Sequence, residues 1–272
     1  MRRTARSARQ RRIHGFTLVE LVAVIATIII LVSLLCAALN HTKEKALRVA
    51  CVNNLRQLQV AWINYTGDND DLLPLNQTAP SPAGKPSIIS RGSSVGSWVV
   101  GNPTIDVTTT GIEKGTLFPY VGSTEVYRCP MDDSTVVRHP DILRTRSYSM
   151  NAFLGGDDPE HNLRVKTKLS EWTAPGKEST FVFIEEHADS YWLSSFWVYP
   201  KEEINATSAS WWSTPADRHN QGCNLSFADG HVEYWQWYSP KEGHSETKLS
   251  STSRDSVDIR RLQACVPQKR NN

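Results

Sequence analysis

Several chemical signatures are missing from this sequence. None of its five cysteines stands in a CxxC pair, so the usual spacing of a zinc site is absent. There is no nucleophile elbow, no phosphate-binding loop and no HExxH stretch, and nothing in the sequence asks for an enzyme. No internal repeat is visible. Acidic residues are lacking from the first fifteen positions, which hold Arg2, Arg3, Arg6, Arg9, Arg11 and Arg12. Setting those six aside leaves 24 basic residues against 28 acidic ones, so the body is mildly acidic. Affinity for nucleic-acid phosphates is therefore not expected. A mean hydropathy of −0.40 over 272 residues describes a water-soluble body. That length accommodates one membrane segment and one sizeable core, or two small domains.

One stretch departs from this average. Leu21 to Leu39 run without a charge, and only Thr27 and Ser33 are polar. As a helix these residues span roughly 28 Å, close to the ~30 Å hydrocarbon thickness of a bilayer. A secretory signal has a shorter apolar core, which disfavours cleavage near Ala37–Ala38. Bulky Leu35 disfavours a lipoprotein site at Cys36, which reads instead as an apolar filler. The arginine block should stay cytoplasmic, which places the chain after about residue 40 across the membrane. Glu20 stands near the start of this run, where a carboxylate costs a few kcal/mol unless it reaches the headgroups or finds a partner.

The six residues Gly15-Phe16-Thr17-Leu18-Val19-Glu20 resemble the processing site of type IV prepilins and type II secretion pseudopilins. In that family a membrane peptidase cuts after the glycine and N-methylates the new terminal phenylalanine. The resemblance implies processing at Gly15 and Phe16, and an assembly role for Glu20, whose charge would meet the N-terminal amine of a neighbouring subunit. Opposite charges in a low-dielectric medium remove each other's need for water.

Helical periodicity continues beyond Asn40. Leu47, Cys51, Leu55, Leu58, Trp62 and Tyr65 form one apolar stripe, with Lys43, Glu44, Arg48, Asn53, Arg56 and Asn64 away from it. Gly67 and the run Asp68-Asn69-Asp70-Asp71 are expected to end the helix. Residues 76–97 are rich in Pro, Gly and Ser and read as a long surface loop. Beyond them, SWVVG, EVYRCP, STFVFIEE, SSFWVYP, CNLSFADG and HVEYWQWY read as short strands, the last two as a hairpin turning at Asp229-Gly230. Ile259, Leu262 and Val266 suggest a short terminal helix.

His219, nine further residues and then Asp229-Gly230 are similar to the H-X9-DG domain of prepilin-like proteins. CVNNLRQLQVAWINYTGDND, YRCPMDD, SYSMNAFLG and FVFIEE agree with that group, so the resemblance extends from Gly15 to about Pro267. The expected fold class is α+β and pilin-like: a long N-terminal helix, half membrane and half amphipathic, packed on a mainly antiparallel β head. Residues 1–15 are a basic leader, 16–39 a transmembrane and assembly helix, 40–66 an amphipathic extension, and 67–272 the head, with the motif region at 219–230.

Candidate chemistry in the head is weighed against structure. His219, Asp229 and His231 offer two imidazoles and a carboxylate, a set suited to a divalent ion. The plainer alternative has Asp229 shaping its own turn and His219 bonding a backbone carbonyl. Asp68, Asp70 and Asp71 are weak calcium candidates, since the run lacks the turn glycine and distal glutamate of an EF-hand loop. No cofactor is otherwise expected. Glu185 and Glu186 adjoin on a strand and should face opposite sides. Outside the cytoplasm one or two disulfides become plausible, with Cys51–Cys129 favoured over free or separately paired thiols. Cys223 and Cys265 are left without an assigned mate. Trp211-Trp212 and Trp235-x-Trp237 are either platforms for stacking on a ligand or core of a small sheet.

The expected function is thus a structural subunit of a type IV pilus-like or type II secretion pseudopilus filament. It would sit in the bacterial inner membrane as a single-pass protein with a cytoplasmic N-terminus. Its partners would be prepilin peptidase, other pilin or pseudopilin subunits and membrane lipid. The alternative is a membrane-tethered binding module that meets a glycan or envelope protein through surface aromatics. A tethered hydrolase using the His219/Asp229 region is a third, weaker possibility.

Overall fold

The computed structural model describes residues 17–78, 92–156, 165–172, 175–190, 194–198, 211–243 and 253–267. Gly15 and Phe16, the expected processing residues, lie outside them. The chain divides into two compact units, Met1–Lys45 and Ala46–Asn272. Helix α1, Leu18–Asp68, begins in the first and ends in the second.

Within the first unit, Leu18–Cys36 is long and apolar enough to cross a membrane, and none of it is buried. Its two hydroxyls are spent locally. Thr27 Oγ1 donates to the Val24 carbonyl at 2.8 Å, and Ser33 Oγ to the Ile30 carbonyl at 2.7 Å. Neither exposes an unpaired donor to an apolar surrounding.

The second unit is α+β. The stripe on α1 is the face that packs: Cys51, Leu55, Leu58 and Trp62 are fully buried, and Leu47 and Tyr65 partly so. Each fully buried leucine contributes roughly 1.5–3 kcal/mol. The helix ends at Asp68, within the expected stretch from Gly67 to Asp71. The break comes where Asp70 and Asp71 take left-handed φ values of 51° and 67°.

The five-stranded sheet comprises β3 (Tyr148–Asn151), β4 (Phe181–Glu185), β5 (Ser195–Phe196), β6 (Gly222–Phe227) and β7 (Val232–Gln236). Strands β1 (Thr135–Val136) and β2 (His139–Leu143) form a separate ribbon. The spatial order is β5-β3-β4-β6-β7, antiparallel throughout except for the β3–β5 pair. Two short helices, α2 (Thr110–Glu113) and α3 (Phe118–Val121), precede the ribbon, and α4 (Arg254–Gln263) follows the sheet. Two apolar clusters flank the sheet. One joins the α1 stripe to Trp98, Tyr127, Tyr148, Met150 and Phe183. The other joins Phe181, Ile184, Leu225, Trp235 and Trp237 to Ile259, Leu262 and Val266 around α4. The sheet is therefore sandwiched between α1 and α4.

The hairpin forms as the sequence suggests. Leu225 pairs with Glu233 and Ser226 with Val232 across β6 and β7. Gly230 has φ +106°, a conformation that side chains other than glycine rarely adopt. Two expected strands do not form. SWVVG makes only isolated bridges, through Ser97 and Gly101. EVYRCP begins inside a turn of 3-10 helix, Thr124–Tyr127, which extended Arg128 follows. Val126 and Tyr127 are adjacent yet both buried, which a strand with one core face does not allow. The proposed surface loop is also partly interior: Asn76, Ser93 and Ser97 are buried. Asn76 ties three elements together. It donates to the Met150 and Asn151 carbonyls and accepts from Trp98 Nε1 at 3.2 Å and Ser195 Oγ at 2.8 Å.

Candidate functional site

Two places carry chemistry that the packing does not require. The first is the start of α1. Thr17 N and Thr17 Oγ1 each donate to Glu20 Oε2 at 2.8 Å, and Glu20 N donates back to Thr17 Oγ1 at 3.3 Å. This reciprocal arrangement is a capping box, in which an N-cap threonine and a glutamate three residues on satisfy each other's backbone donors. It gives Glu20 a role inside its own chain. The Thr-x-x-Glu spacing of such a box is local and stands in the sequence at Thr17 and Glu20.

The second place lies beneath the H-X9-DG region. Cys51 arrives from the buried stripe of α1. Cys129 follows the 3-10 turn and is fixed by its own N–H, which donates to Ser147 Oγ at 3.1 Å. The preceding carbonyl, that of Arg128, accepts from Asn54 Nδ2 of α1 at 2.9 Å. Glu185 ends β4, and His219 stands in the loop before β6. Their ligand atoms all lie within 4.8 Å of one another, and all four residues are buried. His219 Nε2 donates to Glu185 Oε1 at 2.8 Å and lies 3.4 Å from Cys129 Sγ. Cys51 Sγ donates to Glu185 Oε1 at 2.7 Å. Glu185 Oε2 accepts from Asn224 N at 2.7 Å and Asn224 Nδ2 at 3.3 Å.

The electrostatics follow from this contact set. Burial alone would raise the Glu185 carboxyl. The hydrogen bond and charge of His219, with help from Arg218, bring it instead to about 2. Burial likewise opposes charging His219, but hydrogen bonds with Cys129 and Glu185 lift it to about 9. The pair is thus an imidazolium and a carboxylate. Its stabilisation is complete above the ordinary carboxylate range and below the ordinary histidine range. It fades as pH falls through about 2 or rises through about 9.

The neighbouring acid behaves oppositely. Glu186 points to the other side of the strand, where Ser149 Oγ and Ser190 Oγ contact its carboxyl, the latter at 3.1 Å. No cation pairs with it among the described residues, and burial pushes it up to about 8. Its folded value exceeds its unfolded one, so its contribution is full below the ordinary carboxylate range and is lost as pH rises through about 8. Glu186→Gln should therefore gain on the parent by roughly 1–2 kcal/mol between pH 6 and pH 8. Urea unfolding at both pH values checks this; a pH-independent difference would show that Glu186 is already ionised.

The remaining sequence candidates do not join this cluster. Asp229 is exposed at the hairpin, where its Oδ1 accepts from His231 N at 3.1 Å and lies 2.5 Å from His231 Nδ1. His231 stacks on Phe227 with centroids 4.4 Å apart. So Asp229 does shape its own turn, whereas the His219 imidazole bonds a carboxylate, and only the residue's backbone N–H donates to a nearby carbonyl, that of Gly222 at 3.2 Å. Hydrogen bonding from the Ser170 side chain, and from Ser170 N to Asp71 Oδ2 at 2.8 Å, lowers the Asp71 carboxyl. Asp68, Asp70 and Asp71 are not among the groups of converging ligand atoms in the described residues. The favoured Cys51–Cys129 disulfide is not formed: the two cysteines meet as anticipated, but as thiols held by Glu185, His219 and Tyr148. Cys223 and Cys265 are also free and buried, and Cys36 is free and exposed. Trp211, Trp235 and Trp237 belong to the α4-side core, leaving Trp212, 49% exposed, as the accessible member of the four. Sequence reasoning missed Glu185 as His219's partner, because 34 residues separate them and no local pattern links them.

Comparison with family models, with curated proteins and with solved structures yields no match.

Proposed function

We propose that this chain is a pilin-like structural subunit. It is cut after Gly15 by a prepilin peptidase and assembled through its N-terminal helix into a type IV pilus-like or type II secretion filament. The observation that supports this reading best is the start of α1: an entirely unburied apolar helix with a carboxylate at its head. Such a surface requires lipid or other helices to cover it. Glu20, capped by Thr17 within its own chain, is poised at the helix start where a neighbour's amine could replace that cap. The head contributes contacts and does no chemistry in this reading. The binding-module alternative has lost most of its aromatic surface to the core.

Intact-mass analysis and N-terminal sequencing of the membrane-extracted protein test the proposal. A chain that begins at methylated Phe16 is expected. A retained leader, or cleavage near Ala38, would overturn it. A second arm separates the two roles of Glu20. Glutamine serves the capping box as well as glutamate does, so Glu20→Gln should insert normally yet lose co-purification with other subunits. Unchanged assembly in that variant would leave Glu20 as a helix cap only.

A further inference from the structure

We propose that Cys51, Cys129, Glu185 and His219 form a structural site for a zinc-type divalent ion. This inference concerns the head alone and stands independently of filament assembly.

The donor set is the first argument. Two sulfurs, one imidazole nitrogen and one carboxylate oxygen make a four-ligand set of the kind zinc takes in closed sites. The sulfurs argue against calcium or magnesium, which take oxygen ligands. All four side chains are inside the protein, so no open position faces solvent or a substrate, as befits a structural site. Tetrahedral zinc with sulfur at ~2.3 Å and nitrogen or oxygen at ~2.0 Å requires ligand atoms about 3.3–3.8 Å apart. Here Cys129 Sγ and His219 Nε2 are 3.4 Å apart, and every pair is within 4.8 Å. Glu185 Oε1 lies 2.7 Å from Cys51 Sγ and 2.8 Å from His219 Nε2. An ion between these atoms opens those two contacts by about 0.5–0.8 Å.

The surroundings are the second argument. Asn224 occupies Glu185 Oε2 with two donors, which leaves Oε1 to face the sulfurs and the imidazole. Asn224 Nδ2 also donates to Cys51 Sγ at 3.3 Å, and the Tyr148 hydroxyl lies 3.1 Å from the same sulfur. Donors aimed at a sulfur suit a thiolate, as in the outer shell of a metal site, better than a disulfide sulfur. Two thiolates and a carboxylate exceed the charge of a divalent ion by one. Arg218 lies close enough for its positive charge to act on both Cys129 and Glu185. Its Nη2 is 3.4 Å from Asp132, while its Nη1 is buried without a hydrogen-bond partner. Loading exchanges two thiol protons and the proton shared by His219 and Glu185 for the ion.

The consequence for the fold is a four-way tie. Helix α1, the turn after the 3-10 helix, the end of β4 and the loop before β6 would be fastened at one point. Each lies far from the others in sequence, which is why no zinc spacing is visible.

The test uses full-length protein extracted in detergent under reducing conditions, equilibrated with zinc sulfate and freed of excess ion by gel filtration. Elemental analysis should find about one zinc per chain. Cobalt(II) in its place should give thiolate-to-metal charge transfer and the intense visible bands of a tetrahedral ion. Cys129→Ser and His219→Gln should each lower retained zinc about tenfold or more, whereas Cys265→Ser should retain it. Equal retention by Cys129→Ser would overturn the proposal. If the ligand variants fail to fold, thermal unfolding of the parent decides. Its midpoint should rise with zinc concentration and fall back with chelator; no shift refutes the site. A Cys51–Cys129 disulfide in peptides from membranes alkylated before lysis would also overturn it.

Discussion

His219→Ala is expected to destabilise the head by about 3–5 kcal/mol, the range for removing one partner of a buried ion pair. The loss is not that of a single hydrogen bond. Glu185 would remain wholly buried, with the imidazolium 2.8 Å away deleted. Asn224 and Cys51 would still donate to it, but neither carries charge. Total stabilities of single domains are about 5–15 kcal/mol, so this change removes a large share of the whole. Urea unfolding followed by tryptophan fluorescence, in the presence of chelator, should show a lower midpoint at unchanged slope. Adding Glu185→Gln should recover about 1–3 kcal/mol, because the stranded charge is then gone. A loss under about 1 kcal/mol would mean that Arg218 already neutralises Glu185.

Lys241→Ala is the second large effect, on the opposite face of the sheet. Its ammonium is buried, 2.6 Å from Asp258 Oδ2 and also paired with Asp255. It lies 5.1 Å from the ring centroids of both Trp211 and Trp237. Asp258 further accepts from Tyr238 N and Ser239 N, and Asp255 from Trp211 Nε1 at 2.7 Å. One cation therefore serves two carboxylates, both on α4. Its removal leaves them facing each other across a low-dielectric gap, again about 3–5 kcal/mol. Because both acids belong to α4, the damage should begin there. Amides of Arg254–Gln263 should lose hydrogen-exchange protection before those of β4 and β6 do. Uniform loss across the head would show that α4 unfolds only with the sheet.

Local patterns in the sequence were readable and long-range ones were not. The α1 stripe could be seen because helical spacing brings Cys51, Leu55, Leu58 and Trp62 to one face without reference to anything else. The hairpin could be seen because Asp229-Gly230 names its own turn. The helix α4 was visible for the same reason. By contrast β3 has no alternation to detect: Tyr148, Ser149, Met150 and Asn151 are all buried. Its polar members are satisfied inside, Ser149 by Glu186 and Asn151 by the Phe181 carbonyl at 3.0 Å. The buried polar cluster is the extreme case. Cys51 and Glu185 are 134 residues apart, and Cys129 and His219 are 90 apart. Only the assembled sheet brings them together. His219 and Asp229 were linked by their motif spacing, yet the fold sends one into the core and leaves the other at the hairpin.

The double glutamate at the end of β4 carries a further consequence. Written out, Glu185 and Glu186 are two negative charges. Folded at neutral pH they are one, because Glu186 enters the interior still holding its proton. Opening the head would return that side chain to water, where it ionises at once, so unfolding at neutral pH sheds about one proton from this position. The fold acts there as a small reservoir of acid, and the charge tally of the sequence overstates by one the negative charge the folded strand bears.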